Sequence, residues 1–291
     1  MKKLAFITCM TGLLSIPFYS RAQFIKSLTI GQSMATAEQQ ALPAQFSMTV
    51  PEHKKASFVI NAGISINLDS LSKPGYLSAI TAEFHRNSLT DSVQNNYQIG
   101  YKGTFKIGGR AGGNTIYYLT FDPQYSRDQV AQKHSFQSNV LFSWRTTGSA
   151  LNWNAFNVNQ AKTNYYKIGL ISGTQIQHVF HSDSSTALRG FKLRPLAIAD
   201  AGLFFLRGYN KLTDPVFSLN VSFTQRVAAV NTTSDAEKFT HLFRAGINYY
   251  IVSTPAKLSL GAEFLSGSDN FTGMKQQQYF LLAFNVFLTK P

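Results

Sequence analysis

Cysteine is nearly absent from this chain of 291 residues: Cys9 is the single one, and it lies in the N-terminal apolar run from Leu4 to Phe18. One thiol can form neither an intrachain disulfide nor a multi-cysteine metal site. Acidic residues are also few, with 14 Asp and Glu in the whole chain. No apolar run approaches the roughly 20 residues of a membrane-spanning helix. These absences exclude a disulfide scaffold, a thiolate metal centre and a bundle of membrane-spanning helices.

The N-terminus has the features of a secretory signal. Lys2 and Lys3 precede the apolar run, and Ser20-Arg21-Ala22 follows it with small residues at the two positions that a signal peptidase reads. We therefore predict a signal peptide over residues 1–22, cleaved before Gln23. Its removal takes away the only cysteine and lowers the formal charge from +13 to +10.

Aromatic residues are abundant in a chain that is neutral in average hydropathy. There are 24 Phe and 13 Tyr, charged residues make up 14%, and the mean hydropathy is -0.09. A sheet with lipid on one face and water on the other has such a composition. The composition thus favours strands over helices as the elements that meet a membrane.

The stretch from Gln276 to Lys290 has an apolar residue at every second position. One face carries Phe280, Leu282, Phe284, Val286 and Leu288. This is the period of a β-strand. No helices are predicted that could cover such a face, whereas lipid could cover it. A membrane barrel must pair its last strand with its first, and Ser57 to Leu68 has the alternation expected of that first strand.

Further alternating segments separated by turn residues fill the chain between these two strands. They are residues 76–86, 96–107, 115–121, 134–145, 150–158, 164–180, 188–207, 216–227, 239–251 and 257–264. With the first and last strands this makes twelve, and ten or fourteen remain alternatives because 150–158 is weak. Asp122 to Lys133 is interpreted as a polar connection, and the facing of Asp200 is left open.

The signal, the alternating segments and the closing strand together resemble the outer-membrane β-barrel class of bacterial proteins over nearly the whole mature chain. The resemblance implies an all-β fold, an antiparallel transmembrane β-barrel, located in the cell outer membrane. It implies outer-membrane lipid as a partner, the barrel-assembly machinery as a second one through the C-terminal strand, and room for an envelope protein partner. The expected domains are the signal at 1–22, an irregular leader at 23–56 that is a tail or a plug, and the barrel at 57–291.

The faces opposite the apolar ones carry the candidate functional residues of the lumen. The cations are Lys102, Lys106, Arg145, Lys167, Arg226, Arg244 and Lys257, and the carboxylates are Glu83 and Glu263. Such a surplus of cations in a confined pore favours anions. Two alternatives stay open: side chains fill the interior and the carboxylates merely pair with cations, or the leader plugs it.

The resulting functional hypothesis is a small-solute channel or transporter of narrow bore with a weak preference for anions. One alternative is a structural or accessory barrel of a larger envelope or secretion complex, and another is a barrel enzyme of lipase type. Glu83 and His85 share a strand face, but such a pair is typical of a structural hydrogen bond, so no catalytic residue is assigned. No metal site, cofactor or nucleic-acid partner is expected, because the histidines lack ligand spacing and the basic residues are scattered.

Overall fold

The computed structural model describes residues 28–31, 44–49, 57–68, 76–88, 93–109, 113–148, 151–158, 164–183, 186–206, 215–234, 238–252, 256–269, 272 and 274–288. The predicted signal lies outside them. The strands are β1 Leu28–Gly31, β2 Ala44–Thr49, β3 Ser57–Asn67, β4 Tyr76–Asn87, β5 Gln94–Gly108, β6 Thr115–Asp128, β7 Lys133–Thr146, β8 Ala155–Val158, β9 Asn164–Ser182, β10 Gly190–Leu206, β11 Pro215–Val227, β12 Val230–Asn231, β13 Phe239–Val252, β14 Ala256–Asp269 and β15 Met274–Leu288. The only helical element among these residues is a short 3-10 turn at Thr186–Leu188.

The strands form one antiparallel sheet that closes on itself. Following the ladders, β2 pairs with β3, then β4, β5, β6, β7, β9, β10, β11, β13, β14 and β15 follow in turn, and β15 pairs back with β2. This ring has twelve positions within the described part of the chain. The prediction of an all-β antiparallel barrel of about twelve strands is confirmed.

The closure differs from the sequence prediction. β15 does not pair with residues 57–68, because β2 lies between them and joins β15 through Phe284↔Phe46, Asn285↔Gln45 and Val286↔Ala44. β1 continues along the same edge of β3, beside residues 63–66. The segment 23–56 was expected to be irregular, yet these two parts of it belong to the wall; its remaining residues lie outside the described ones.

The predicted strand at 150–158 is also different. Only β8 is a strand there, and it pairs with residues 165–168 of β9, beyond the point where the β7 ladder on that edge ends at Ser143↔Ile171. β8 therefore extends an edge that β7 already occupies and adds no position to the ring. The total of twelve holds because β2 takes the place of the segment predicted at 150–158.

The connection predicted at Asp122 to Lys133 is mostly wall. β6 runs on to Asp128 and β7 begins at Lys133, so only four residues join them. Pro123 lies in the middle of this stretch and has no N–H to donate to a ladder. The β5–β6 ladder omits Asp122 and Pro123 and resumes at Gln124, opposite Gly100.

Polar residues point into the barrel and apolar residues point outward. On β4, Thr81, Glu83, His85 and Asn87 are buried, while Ile80 is exposed; the same alternation runs along β5, β6, β9, β10, β11 and β13. Two small apolar clusters also lie inside, one around Leu141, Leu196 and Ile198 and one around Leu242, Leu265 and Met274. No helix in the described ranges is long and apolar enough to span a bilayer.

The barrel has two distinguishable ends. Because neighbouring strands are antiparallel, the start of β1 and the finish of β15 lie at one end, called here the terminal end. The other, called the distal end, holds the connections β2–β3, β4–β5, β6–β7, β9–β10, β11–β13 and β14–β15. The longest connection, between β7 and β9, is at the terminal end, so loop length does not single out the distal end.

Candidate functional site: the barrel interior

The predicted lumen residues occupy two different environments. Lys102, Glu83 and Arg226 are buried at 4%, 5% and 7% exposure. The side chains of Lys167, Arg244 and Glu263 are largely buried, at 18%, 15% and 18%. Lys106 and Arg145 are exposed near the terminal end. The side chain of Lys257 lies outside the described ones.

Two of the buried cations lie against carboxylates on other strands of the ring. Lys167 Nζ is 3.4 Å from Asp200 Oδ2, and Arg226 Nη2 is 3.0 Å from Asp269 Oδ1. Gly169 is directly opposite Asp200 in the ladder, and a Cβ at Gly169 would collide with the Asp200 carboxylate. The missing side chain thus gives Asp200 room to reach Lys167.

The pair between Arg244 and Glu263 is looser. Arg244 Nη1 is 3.9 Å from Glu263 Oε1, and Arg244 Nε has no hydrogen-bond partner. Arg226 Nε and Nη1 are likewise buried without a partner. A buried guanidinium donor that makes no hydrogen bond is costly. The cations of β11 and β13 are therefore less well satisfied than Lys167.

Asp122 on β6 lies at the centre of a hydrogen-bonded group. Gln124 Nε2 donates to Asp122 Oδ1 at 3.1 Å, and Asn139 Nδ2 of β7 donates to Oδ2 at 3.3 Å. The Asp122 carboxylate also interacts electrostatically with two charged groups, Lys102 and Glu83. One interior network thus joins β4, β5, β6 and β7.

Glu83 and His85 form a second group. His85 Nε2 is 2.9 Å from Glu83 Oε2, and His85 Nδ1 is 3.1 Å from Asn61 Oδ1 of β3. Both ring nitrogens are engaged, so neither is available to a substrate without breaking a contact. This geometry is that of a structural hydrogen-bonded pair.

The middle of the interior is closed to water along one side. Gln175 and Gln137 have 0% and 1% exposure. Arg194 Nη1 donates to Gln175 Oε1 at 3.2 Å and to Gln177 Oε1 at 3.1 Å. Side chains that line a water-filled bore remain accessible to water, whereas these are not. At this level, polar side chains fill the interior.

Hydrogen bonds also cross the barrel at the distal end. Asn87 Nδ2 of β4 donates to Gln277 Oε1 of β15 at 3.2 Å, and Gln94 Nε2 donates to the Thr272 carbonyl at 2.7 Å. A small recess lies beside these contacts. Its lining residues are Asn61, His85, Gln94, Arg244, Thr272, Met274 and Tyr279.

The charges of the packed interior are balanced among the described residues. Six buried or largely buried cations, Lys102, Lys167, Lys192, Arg194, Arg226 and Arg244, share it with six carboxylates, Glu83, Asp122, Asp128, Asp200, Glu263 and Asp269. Sequence reasoning missed Asp122, Asp128 and Asp269 by assigning them to connections, and it left Asp200 unplaced. Lys106 and Arg145 at the terminal end, with Lys133 at the distal end, are more accessible. The excess of positive charge among the described residues therefore lies outside the packed interior, at the mouths and on the outer face, where Arg127 is exposed.

The described residues contain no group of three or more His, Cys, Asp or Glu side chains placed to hold a metal ion. No protein-family model, curated protein or solved structure matches the chain. Function is therefore inferred from the residues of this barrel alone.

Proposed function

We propose that the protein is an outer-membrane β-barrel with a closed interior, acting as a structural or accessory barrel of an envelope complex. The expected signal at residues 1–22 directs export, and lipid covers the outer face of the ring. In this proposal the barrel presents its connections to an envelope partner and conducts no solute.

The outer face is the observation that supports membrane insertion. Thirty large apolar side chains are exposed in the described part of the chain, all but four of them on strands, with Phe280 and Leu282 at 80% and 79%. With about 150 to 250 Å² in each aromatic side chain, a half-exposed set of this size presents on the order of 2,000 Å² of apolar surface. Soluble monomers rarely expose contiguous patches above a few hundred Å². Insertion into a bilayer removes this apolar surface from water.

The location of the carboxylates supports the same conclusion. Each Asp and Glu in the described wall strands is buried or largely buried on the inner face. A soluble sheet would place such residues toward water. A barrel in lipid must keep them inside, because an ionised group on the lipid face is costly.

The interior network is the observation that favours a closed barrel over an open pore. Gln137, Gln175, Asn87, Asn96 and Asp122 are at most 2% exposed although they point inward. Because the packed region holds equal numbers of buried cations and carboxylates, its formal net charge is zero, and its electrostatic field does little to select anions.

Conductance in planar bilayers tests the closed interior. Insertion is verified first, by the heat-dependent shift in gel migration that folded barrels show. We expect the inserted protein to give no current steps, and purification under mild conditions to retain a companion protein. Regular steps from the wild-type chain would instead support a channel.

A small-solute channel with a weak preference for anions is the second candidate. The partnerless nitrogens of Arg226 and Arg244, the recess beside Arg244, and the exposed Lys106 at the terminal mouth favour it. If current is seen, replacing Lys102 and Lys106 together by Gln should shift selectivity toward cations. Unchanged selectivity would leave this candidate without support.

A further inference from the structure

Three basic side chains form a row on the outer face at the distal end. Arg127 of β6 lies opposite His134 of β7, and His134 lies opposite His181 of β9. The two imidazole rings are 5.3 Å apart between centroids, and Arg127 and His181 are exposed. We call these three residues the basic cluster.

The basic cluster borders the apolar band of the barrel. Tyr125 lies two residues from Arg127 on the same face, and its hydroxyl is hydrogen-bonded to His134 Nδ1. The Phe180 ring is 6.4 Å from the His134 ring and is 47% exposed. Aromatic side chains in this position mark the level where acyl chains give way to headgroups.

Arg127 is the fixed cation of this region on the outer face. The carboxylates of the described wall strands all face the interior. The acidic residue at the cluster is Asp183, whose Oδ1 is 2.7 Å from His181 Nε2. Asp183 lies beyond the end of β9 and fixes the His181 ring, while the Arg127 guanidinium remains exposed beside His134.

We propose that the basic cluster binds the phosphate of a lipid headgroup at the membrane surface. This inference depends on the membrane placement proposed above. Arg127 supplies a planar fork of donors suited to phosphate oxygens, and the two imidazoles add ring donors. The adjoining Tyr125 and Phe180 contact the acyl chains of the same lipid, which a free phosphate ion does not have.

The test measures lipid selectivity of the full chain in nanodiscs of phosphatidylcholine with a minor fraction of phosphatidic acid. Lipids that stay bound on extraction are counted by mass spectrometry for the wild type, for R127Q/H134Q and for H241Q. His241 is the matched control, since it is an exposed histidine on the outer face of β13 near the same end. Wild type should enrich phosphatidic acid, and R127Q/H134Q should lose about fivefold or more of that enrichment, as expected for a lost basic contact at a membrane surface. H241Q should keep it.

Three results would overturn the inference: equal enrichment by R127Q/H134Q and wild type, an equal loss in H241Q, or full displacement of the lipid by millimolar inorganic phosphate. Incorporation into pure phosphatidylcholine nanodiscs is scored separately, with the heat-dependent gel shift as the folding control. Failure to incorporate would count against membrane placement itself. Incorporation without enrichment would count against the basic cluster alone.

Discussion

Replacing Val221 with arginine should impair folding into a bilayer far more than the same change at Val227. Both residues lie on the outer face of β11, with 45% and 42% exposure, and Val221 is the central residue of that strand. Six residues at about 3.4 Å each, on a strand tilted by about 40°, separate them by roughly 15 Å along the membrane normal. That exceeds half of an apolar band about 25 Å tall.

The magnitude follows from that depth. Arginine at the bilayer midplane costs about 2 to 4 kcal/mol of folding free energy, and about 0 to 1 kcal/mol near the interface. The assay is urea unfolding of each variant from lipid vesicles, with the heat-dependent gel shift as a second readout. If V221R and V227R lose the same free energy of unfolding, the outer face does not sit in lipid and the membrane argument is wrong.

Three further predictions concern the wall and its interior. G100A should lower the free energy of unfolding by about 1 to 3 kcal/mol, because a Cβ at position 100 collides with the Pro123 carbonyl and Gln124. The control is G246A, whose Cβ meets only the Ala262 carbonyl at 3.8 Å. Equal losses of unfolding free energy in urea titrations of the two variants would refute the close approach at Gly100. D269N should lower the free energy of unfolding by about 3 to 5 kcal/mol, because it leaves Arg226 buried without its carboxylate. D183N, which breaks an exposed pair, should lower it by less than about 1 kcal/mol. Similar melting midpoints for the two variants would show that the interior pair is solvated. Deleting residues 23–50 removes β1 and β2 and should abolish the heat-dependent gel shift. Deleting residues 23–27 leaves both strands and should preserve the shift. A normal shift after the longer deletion would show that β2 is not needed to close the barrel.

The period-two pattern predicted the barrel and most of its facing. Along β11 and β13 the alternation expected from sequence matches the burial, with Ser218 and Thr240 inside and Leu219 and Ile247 outside. Strands of this kind can be predicted because the polar interior and the apolar outer face impose opposite demands on adjacent residues. The local sequence pattern is then enough to predict the strands and their facing, even without the sequence of a related protein.

The closing strand pair could not be predicted from the pattern. β1 and β2 have only four and six residues, too few for a period to be distinguished from chance. Their place in the wall is set by ladders to β3 and β15, which are contacts distant in sequence. Residues 57–68 alternate more regularly and were therefore predicted to be the first strand, although β2 is the strand that pairs with β15.

The balance of charge inside the barrel was missed for a different reason. Asp122-Pro123 has the composition of a turn, so the stretch to Asp128 was assigned to a connection. A signal was nevertheless present, because Asp122, Gln124, Ser126 and Asp128 alternate with Pro123, Tyr125 and Arg127. Only the pairing with β7 shows that these carboxylates face the interior, where they offset the predicted cations.

The most direct test of the central claim is the collision of a spin label at Val221 with oxygen and with a water-soluble nickel complex. Because Cys9 lies in the expected signal, a single cysteine at position 221 can carry the label in the reconstituted barrel. If lipid covers the outer face, oxygen, which concentrates in the bilayer, should relax the label strongly while the nickel complex leaves it nearly unaffected. Strong relaxation by the nickel complex would place Val221 in water and contradict the account.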